Sequence, residues 1–340
     1  MARLGEPEYR ARQLMRAVYQ GLFASWDEAT DLPQSLREKL VKRTSLHAVA
    51  LVREVTGRDG TTKALLALHD GKTVETTLMP QGGRRYSVCI STQVGCAICC
   101  PFCATGQQGF ERNLSPGEII DQVLYFARRL RHESGQAPAG SGETPSHVTN
   151  LVFMGMGEPL ANYDAVWHAV GMLNSPEGFG LGARHMTIST AGLVPGIRRL
   201  SQEKLQVGLA VSLHAPDNAL RNRLVPLNKG YPLERLIPAC REYFEKTGRR
   251  PSFEYVLLEG VNDSVVQARA LARLLEGLNC HVNLIRASPT GNKTFRPSPA
   301  PAVLAFEREL RRLHVACTLR RGMGLDISAG CGQLRSRMAK

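Results

Sequence analysis

The stretch GCAICCPFC (residues 95–103) decides the predicted fold, because it directly follows the first strand of an alternating series of strands and helices. Cys96, Cys100 and Cys103 in this stretch have the spacing C-x3-C-x2-C. Three thiolates on one loop can bind three irons of a cubane cluster and leave the fourth iron open. A zinc site is the alternative, but zinc normally takes four ligands and would have to recruit Cys99, Cys89 or a distant residue.

The alternating series predicts an α/β fold with a parallel sheet and helices outside it, either an open sheet or a partial barrel. Strands are predicted at 86–92, 148–154, 184–189, 206–213, 252–258 and 281–285, and helices near 115–132, 162–174, 194–202, 232–247, 263–277 and 299–314. In either arrangement ligands bind at the carboxyl ends of the strands.

The residues before this series divide into two regions. Residues 1–45 are predicted to be a helical accessory domain, with a second helix from Gln34 to about Arg43. Its basic side chains form either an RNA-contacting face or a solvated one. Short β-type runs with glycine turns predict an antiparallel meander or linker at 46–85. The catalytic core would then span 86–340 and end in a C-terminal loop.

Composition narrows the class of partner and the compartment. The chain has 340 residues and a formal net charge of +13, which favours a polyanion such as a nucleic acid. The aromatic content is 6%, so a base-stacking platform is not indicated. The absence of a signal peptide or an 18-residue apolar run predicts a cytoplasmic protein with no membrane association. In that compartment nine cysteines indicate metal binding or catalysis rather than structural disulfides.

Several further motifs follow the cysteine loop in a defined order. They are CATGQQGF (103–110), RNL (112–114), FMGMGEP (153–159), TIST (187–190), VSLH (211–214), GVND (260–263) and CGQL (331–334). Together with the cysteine triad they resemble the RlmN/Cfr family of radical S-adenosylmethionine RNA (adenine) methyltransferases. The match runs from about residue 6 to residue 336, which is nearly the whole chain. Its fold would be a partial (βα)6 barrel with an N-terminal helical domain and a small β extension.

The resemblance implies one [4Fe-4S] cluster on Cys96, Cys100 and Cys103, whose open iron chelates S-adenosylmethionine. It also implies cofactor contacts at Gly157, Glu158, Ser189, Ser212, Leu213, His214 and Ser288. Glu158 would meet the cationic amino group of the cofactor. The family usually has asparagine at the position of Ser288, and a serine offers fewer hydrogen bonds than an amide.

The resemblance assigns the chemistry to three other residues. Cys331 would be methylated by one S-adenosylmethionine, and an adenosyl radical from a second would then activate that methyl group to add to adenine. Cys89 would form a transient disulfide with Cys331 and release the product, and Glu75 would accept the ring proton. Without the resemblance, the sequence is equally compatible with a free buried thiol at Cys331. It is likewise compatible with a core cysteine at Cys89 and an exposed strand residue at Glu75.

The predicted function is methylation at C2 of an adenosine of 23S rRNA in the peptidyl-transferase region, with tRNA as a further substrate. Methylation at C8, as in Cfr-like proteins, is the alternative within the class. A non-catalytic RNA-binding regulator with an Fe–S or zinc site is the alternative from another class. The enzyme would be a monomer that takes electrons from a flavodoxin or ferredoxin.

Overall fold

The structure, a computed structural model, describes residues 4–83, 85–135, 147–287, 294–320, 322–324 and 326–327. Its strands are β1 (Val49–Thr56), β2 (Thr62–Leu68), β3 (Thr73–Pro80), β4 (Arg85–Cys89), β5 (Gln93–Gly95), β6 (Phe110–Asn113), β7 (His147–Phe153), β8 (Met186–Thr190), β9 (Gly208–Ser212), β10 (Ser252–Leu257), β11 (His281–Arg286) and β12 (Cys317–Arg320).

The helices are α1 (Tyr9–Met15), α2 (Gln34–Arg43), α3 (Pro116–Gly135), α4 (Tyr163–Asn174), α5 (Val194–Leu200), α6 (Asn218–Leu224), α7 (Leu233–Thr247), α8 (Val265–Leu274) and α9 (Ala300–Arg312). A Ser264 capping box starts α8, and left-handed Gly248 ends α7. None of the helices in the described ranges combines the length and the apolarity needed to cross a bilayer.

Ten strands form one sheet in the order β1-β2-β3-β4-β7-β8-β9-β10-β11-β12. Pairing is antiparallel from β1 to β4 and parallel from β4 to β12. The six predicted strands and the helices between them are confirmed, with ends that differ by a few residues. The parallel part has a seventh strand, β12, which was not predicted because its four residues give too short a pattern.

The meander continues directly into the parallel sheet, because β3 pairs with β4. This pairing places Thr77 opposite Cys89, and β2 places Lys63 opposite Thr77. Both β2 and β3 are almost wholly buried, unlike the first strand. At the edge of the sheet, the register of β1 against β2 shifts between Leu51 and Arg53, which is a β-bulge.

The main core lies between the sheet and its helices. Fully buried aromatic side chains from helices and strands meet there, among them Phe126, Phe153, Phe253 and Phe306. Burial of each such side chain contributes about 1.5–3 kcal/mol. The N-terminal helices have their own small cluster, built around Trp26, Leu32, Leu36 and Leu40.

Candidate active site

The cysteine loop lies beyond the carboxyl end of β4 and is closed by the β5–β6 pair. Gly95 is paired with Phe110 across these strands, and Cys96 donates its N–H to the Gly109 carbonyl at 2.8 Å. A Cβ at Gly95 would lie 1.9 Å from that same oxygen, so only glycine allows the closure. The loop is therefore held at the edge where the sequence predicted ligand binding.

The thiols of Cys96, Cys100 and Cys103 interact electrostatically. Burial raises the pKa of Cys96 to about 12 and that of Cys100 well above its usual range, and neighbouring thiols raise both further. Thiolates that interact in this way need a compensating positive charge, which iron supplies. The donor set therefore fits a cluster.

In the described part of the chain, no three His, Cys, Asp or Glu side chains already converge on a metal-sized site. The three sulfurs would thus have to draw together around a cluster. Cys99, which the spacing left outside the set, is exposed and has a left-handed backbone with φ of 57°.

The glycine turn after β7 packs its backbone against the end of β4. A Cβ at Gly155 would lie 2.5 Å from the Ile90 carbonyl oxygen. Gly157 has φ of 107°, and a Cβ there would lie 2.6 Å from Cβ of Gln93. The Gln93 side chain in turn accepts the N–H of Glu158 at 2.8 Å. The turn thus needs glycine because its backbone closely approaches the segment that follows β4.

Glu158 is buried beside the cysteine loop. Its carboxylate accepts backbone N–H groups from Ala191 at 2.6 Å and Leu160 at 3.1 Å. Burial raises its pKa, and its charge acts on the thiols of Cys96 and Cys100. A carboxylate with lone pairs left over at this position suits a cationic group of a ligand.

The other predicted cofactor contacts come from the ends of β8 and β9. Ser189 and Ser212 are half-buried, whereas Leu213 packs in the main core. The His214 ring accepts the Val256 N–H on Nδ1 at 3.1 Å. It also packs edge to face against the ring of Phe102 from the cysteine loop, with 5.0 Å between the ring centroids. Burial and then the Arg221 charge lower the pKa of His214 to about 3, so the ring is neutral.

Arg221 was missed by sequence reasoning, because one arginine in a short basic helix looks like an ordinary surface residue. Its side chain is fully buried, and burial lowers its pKa to about 10. The guanidinium donates to the carbonyls of Ala191, Ser212 and Leu213 at 2.7–3.2 Å. It therefore ties together the segments that follow β8 and β9.

Asn262, in the GVND motif, joins two backbone segments through its side-chain amide. Its Nδ2 donates to the carbonyls of His214 at 2.8 Å and Val256 at 2.7 Å. Its Oδ1 accepts the N–H of Leu258 at 2.7 Å. The motif thus fixes the backbone after β9 against the end of β10.

Glu75 and Cys89 lie near each other on adjacent strands. Glu75 is buried and pairs with the Lys63 ammonium at 2.5 Å, so the alternative of an exposed strand residue is wrong. Cys89 is half-buried. Burial of its thiol raises the pKa to about 11, and the thiol interacts with the charges of both Lys63 and Glu75. The structure therefore brings together two of the three residues predicted for the chemistry.

The third, Cys331, and the cofactor contact Ser288 lie outside the described residues. The segment leading to Cys331 is anchored to the turn between β1 and β2. Asp59 accepts the N–H of Gly324 at 2.7 Å, and Asp326 accepts that of Arg58 at 2.9 Å.

A solved structure has the same overall fold. The chain is 49% identical to a radical SAM methyltransferase from Sphaerobacter thermophilus, with a TM-score of 0.91 over 98% of this chain and 94% of that one. Fold and cysteine loop together define an enzyme of the radical S-adenosylmethionine class. This class binds S-adenosylmethionine and a [4Fe-4S] cluster, so the zinc alternative is set aside.

Named relatives extend over nearly the whole chain. It is 48% identical to "Ribosomal RNA large subunit methyltransferase N" of Nitrosopumilus maritimus over 98% of this chain and 94% of that protein. It is 46% identical to "Probable dual-specificity RNA methyltransferase RlmN" of Roseiflexus castenholzii, covering 98% and 92%. Residues 1–46 match the family model "Ribosomal RNA large subunit methyltransferase N-terminal domain". The chain belongs to the RlmN family, and it is an S-adenosylmethionine-dependent methyltransferase of the radical type.

Proposed function

We propose that this enzyme methylates adenosine at C2 in 23S rRNA, with tRNA as a second substrate. The names of its relatives support an RNA substrate, and the net charge of +13 suits a polyanion. The observation that carries the proposal is the placement of Glu75 beside Cys89 on adjacent strands, of which the second leads towards the cysteine loop. A base and a thiol at this place suit the release of a product that is covalently attached to the protein.

The site has two parts with different tasks. Cys96, Cys100 and Cys103 would hold the cluster, and Gly157, Glu158, Ser189 and the segment Ser212–His214 would line the cofactor site, with Ser288 as a further contact. When bound, the cluster and two molecules of S-adenosylmethionine per turnover would supply a methyl group and a 5′-deoxyadenosyl radical.

The second part handles the covalent link to RNA. Cys331 would carry the methyl-derived carbon. Glu75 would accept the proton that the adenine ring loses, and the one electron that the adduct radical must also lose would return to the oxidised cluster. The Cys89 thiolate would then attack the Cys331 sulfur, so that an S–S bond forms and the sulfur–carbon bond breaks. The carbon keeps the electron pair and takes a proton to become the methyl group, and a cellular dithiol reduces the disulfide.

The remaining assignments complete the proposal. Residues 1–45 would be an accessory domain that contacts RNA, residues 46–85 would carry the base, and 86–340 would form the radical core. The enzyme would work in the cytoplasm as a monomer, with flavodoxin or ferredoxin as its electron donor.

An anaerobic assay of the reconstituted protein tests the proposal. With reductant, S-adenosylmethionine and rRNA, the wild type should form 5′-deoxyadenosine and 2-methyladenosine, identified by nucleoside mass spectrometry. Cys100→Ala should form neither product and should lose the cluster's visible absorbance. Cys99→Ala is the matched control and should retain the two products and the absorbance. Wild-type protein that cleaves no cofactor would refute the proposal, and 8-methyladenosine as product would establish the C8 alternative.

A further inference from the structure

Lys63 is a charged residue in a place where charges are rare. It lies near the start of β2, a strand that is almost wholly buried, and its side chain is 1% exposed. No other lysine among the described residues is buried. Its ammonium lies 2.5 Å from the carboxylate of Glu75, whose side chain is 3% exposed.

Strand register explains the contact. Lys63 is paired with Thr77 across β2 and β3, and Thr77 is paired with Cys89 across β3 and β4. Residues paired across strands lie on the same face of a sheet, and so do residues two apart on one strand. Lys63, Glu75 and Cys89 therefore share one face, and the pKa of Cys89 responds to both charges: Lys63 lowers it and Glu75 raises it.

Stability alone is a weak reason for such a pair. A buried ion pair costs desolvation energy on both sides, and apolar residues of similar volume are often as stable. A base must also be held within reach of the proton that it takes. An ammonium that contacts the carboxylate fixes its orientation.

We propose that Lys63 is a positioning residue of the active site: its ammonium holds the Glu75 carboxylate in a fixed orientation beside Cys89. This inference rests on the proposed function, in which Glu75 accepts the ring proton. Lys63 touches neither cofactor nor the reacting carbon. Its loss should therefore affect release of the product and spare radical formation.

The test compares Lys63→Met with Lys72→Met, an exposed lysine in the β2–β3 turn that pairs with Glu111. Radical formation is followed as 5′-deoxyadenosine and product release as the decay of a covalent RNA–protein adduct on denaturing gels. Lys63→Met should form 5′-deoxyadenosine as the wild type does but release RNA about 100-fold more slowly, the usual size of a general-base contribution. Lys63→Arg, which retains the charge, should recover part of the rate, and Lys72→Met should match the wild type.

Release by Lys63→Met at the rate of Lys72→Met would overturn the inference. If Lys63→Met does not fold, Lys63→Met/Glu75→Gln carries no unpaired buried charge and is compared with Glu75→Gln alone. Equal release by these two supports action through Glu75, and a further loss in the double variant overturns it. Wild-type enzyme that forms neither 5′-deoxyadenosine nor methylated RNA would instead refute the proposed function.

Discussion

The Arg221 guanidinium donates to the Ala191 carbonyl oxygen at 2.7 Å and so joins α6 to the loop that follows β8. The same loop supplies the N–H that Ala191 donates to Glu158. One buried cation thus supports the wall of the proposed cofactor site without belonging to any of the motifs in the sequence.

Arg221→Lys should lower the free energy of unfolding by about 2–4 kcal/mol, because an ammonium cannot reach all the carbonyls that the guanidinium fork reaches. Urea denaturation measures this change, and equilibrium binding of S-adenosylmethionine should weaken in parallel. Arg235→Lys is the control, since Arg235 is exposed and donates only to the Gly230 carbonyl among its described contacts. An unfolding midpoint for Arg221→Lys equal to that of the control would contradict this role.

Gly157→Ala should weaken S-adenosylmethionine binding and destabilise the protein by about 2 kcal/mol. The added Cβ would clash with Gln93 and hold a left-handed φ, which costs about 1–3 kcal/mol. Gly171→Ala in α4 is the matched control, because its Cβ meets nothing within 4 Å and alanine should stabilise the helix by about 0.5–1 kcal/mol. Calorimetry should show a lower melting temperature for Gly157→Ala and a higher one for Gly171→Ala. An affinity of Gly157→Ala for S-adenosylmethionine equal to that of the wild type would contradict the prediction.

His214 should make the protein less stable as the pH falls. Its pKa is about 3 in the folded state and 6.5 as the ordinary value, so between these pH values the unfolded chain binds the extra proton. The free energy of unfolding therefore falls as pH drops from 6.5 towards 3. The raised pKa of buried Glu254 has the opposite sign, so only a comparison of variants isolates the histidine.

Thermal unfolding between pH 7 and pH 4.5 measures the effect, within the window where His214 contributes. His214→Gln should show a shallower loss of melting temperature than the wild type. His168→Gln, at an exposed position on α4, should follow the wild-type curve. Parallel curves for all three proteins would mean that His214 is not the responsible group.

Asp59→Ala should release the C-terminal segment from the β1–β2 turn, at a cost of about 1 kcal/mol for each of the two hydrogen bonds that Asp59 accepts, from Gly324 and Thr61. Hydrogen exchange followed by mass spectrometry should show faster exchange at Gly324, whose N–H Asp59 accepts. Methyl transfer through Cys331 should slow, because the chain that carries this residue begins at the anchor. Asp164→Ala, an exposed and distant change, is the control, and unchanged exchange at Gly324 would exclude the anchor.

The sequence was most informative where a pattern was long or local. Six strands and their helices followed from hydrophobic runs and glycine turns, and the cysteine loop was predicted at the correct end of β4. β12 was missed because four residues give no periodicity. The burial of Glu75 was missed because its partner, Lys63, lies on another strand, and pairing between strands leaves no local signal.

The same limit applies to the cofactor wall. Arg221 and Asn262 act on carbonyls far away in the chain, so their roles follow from how α6 and β10 are packed rather than from their neighbours in sequence. The assignments of Glu75 and Cys89 came from the resemblance to a family. The structure adds a physical relationship between them, since both lie on one face of the sheet.

The bulge in β1 affects whether the edge of the sheet can pair with a strand of another molecule. β1 is the terminal strand of the sheet among the described residues, and it exposes about half of Leu51 and Val52. An exposed apolar edge of this kind readily recruits a strand from another chain and starts aggregation. The shift between Leu51 and Arg53 breaks the regular spacing of N–H and C=O groups and places a charge beside the apolar pair. The edge is therefore a poor template for intermolecular strand addition.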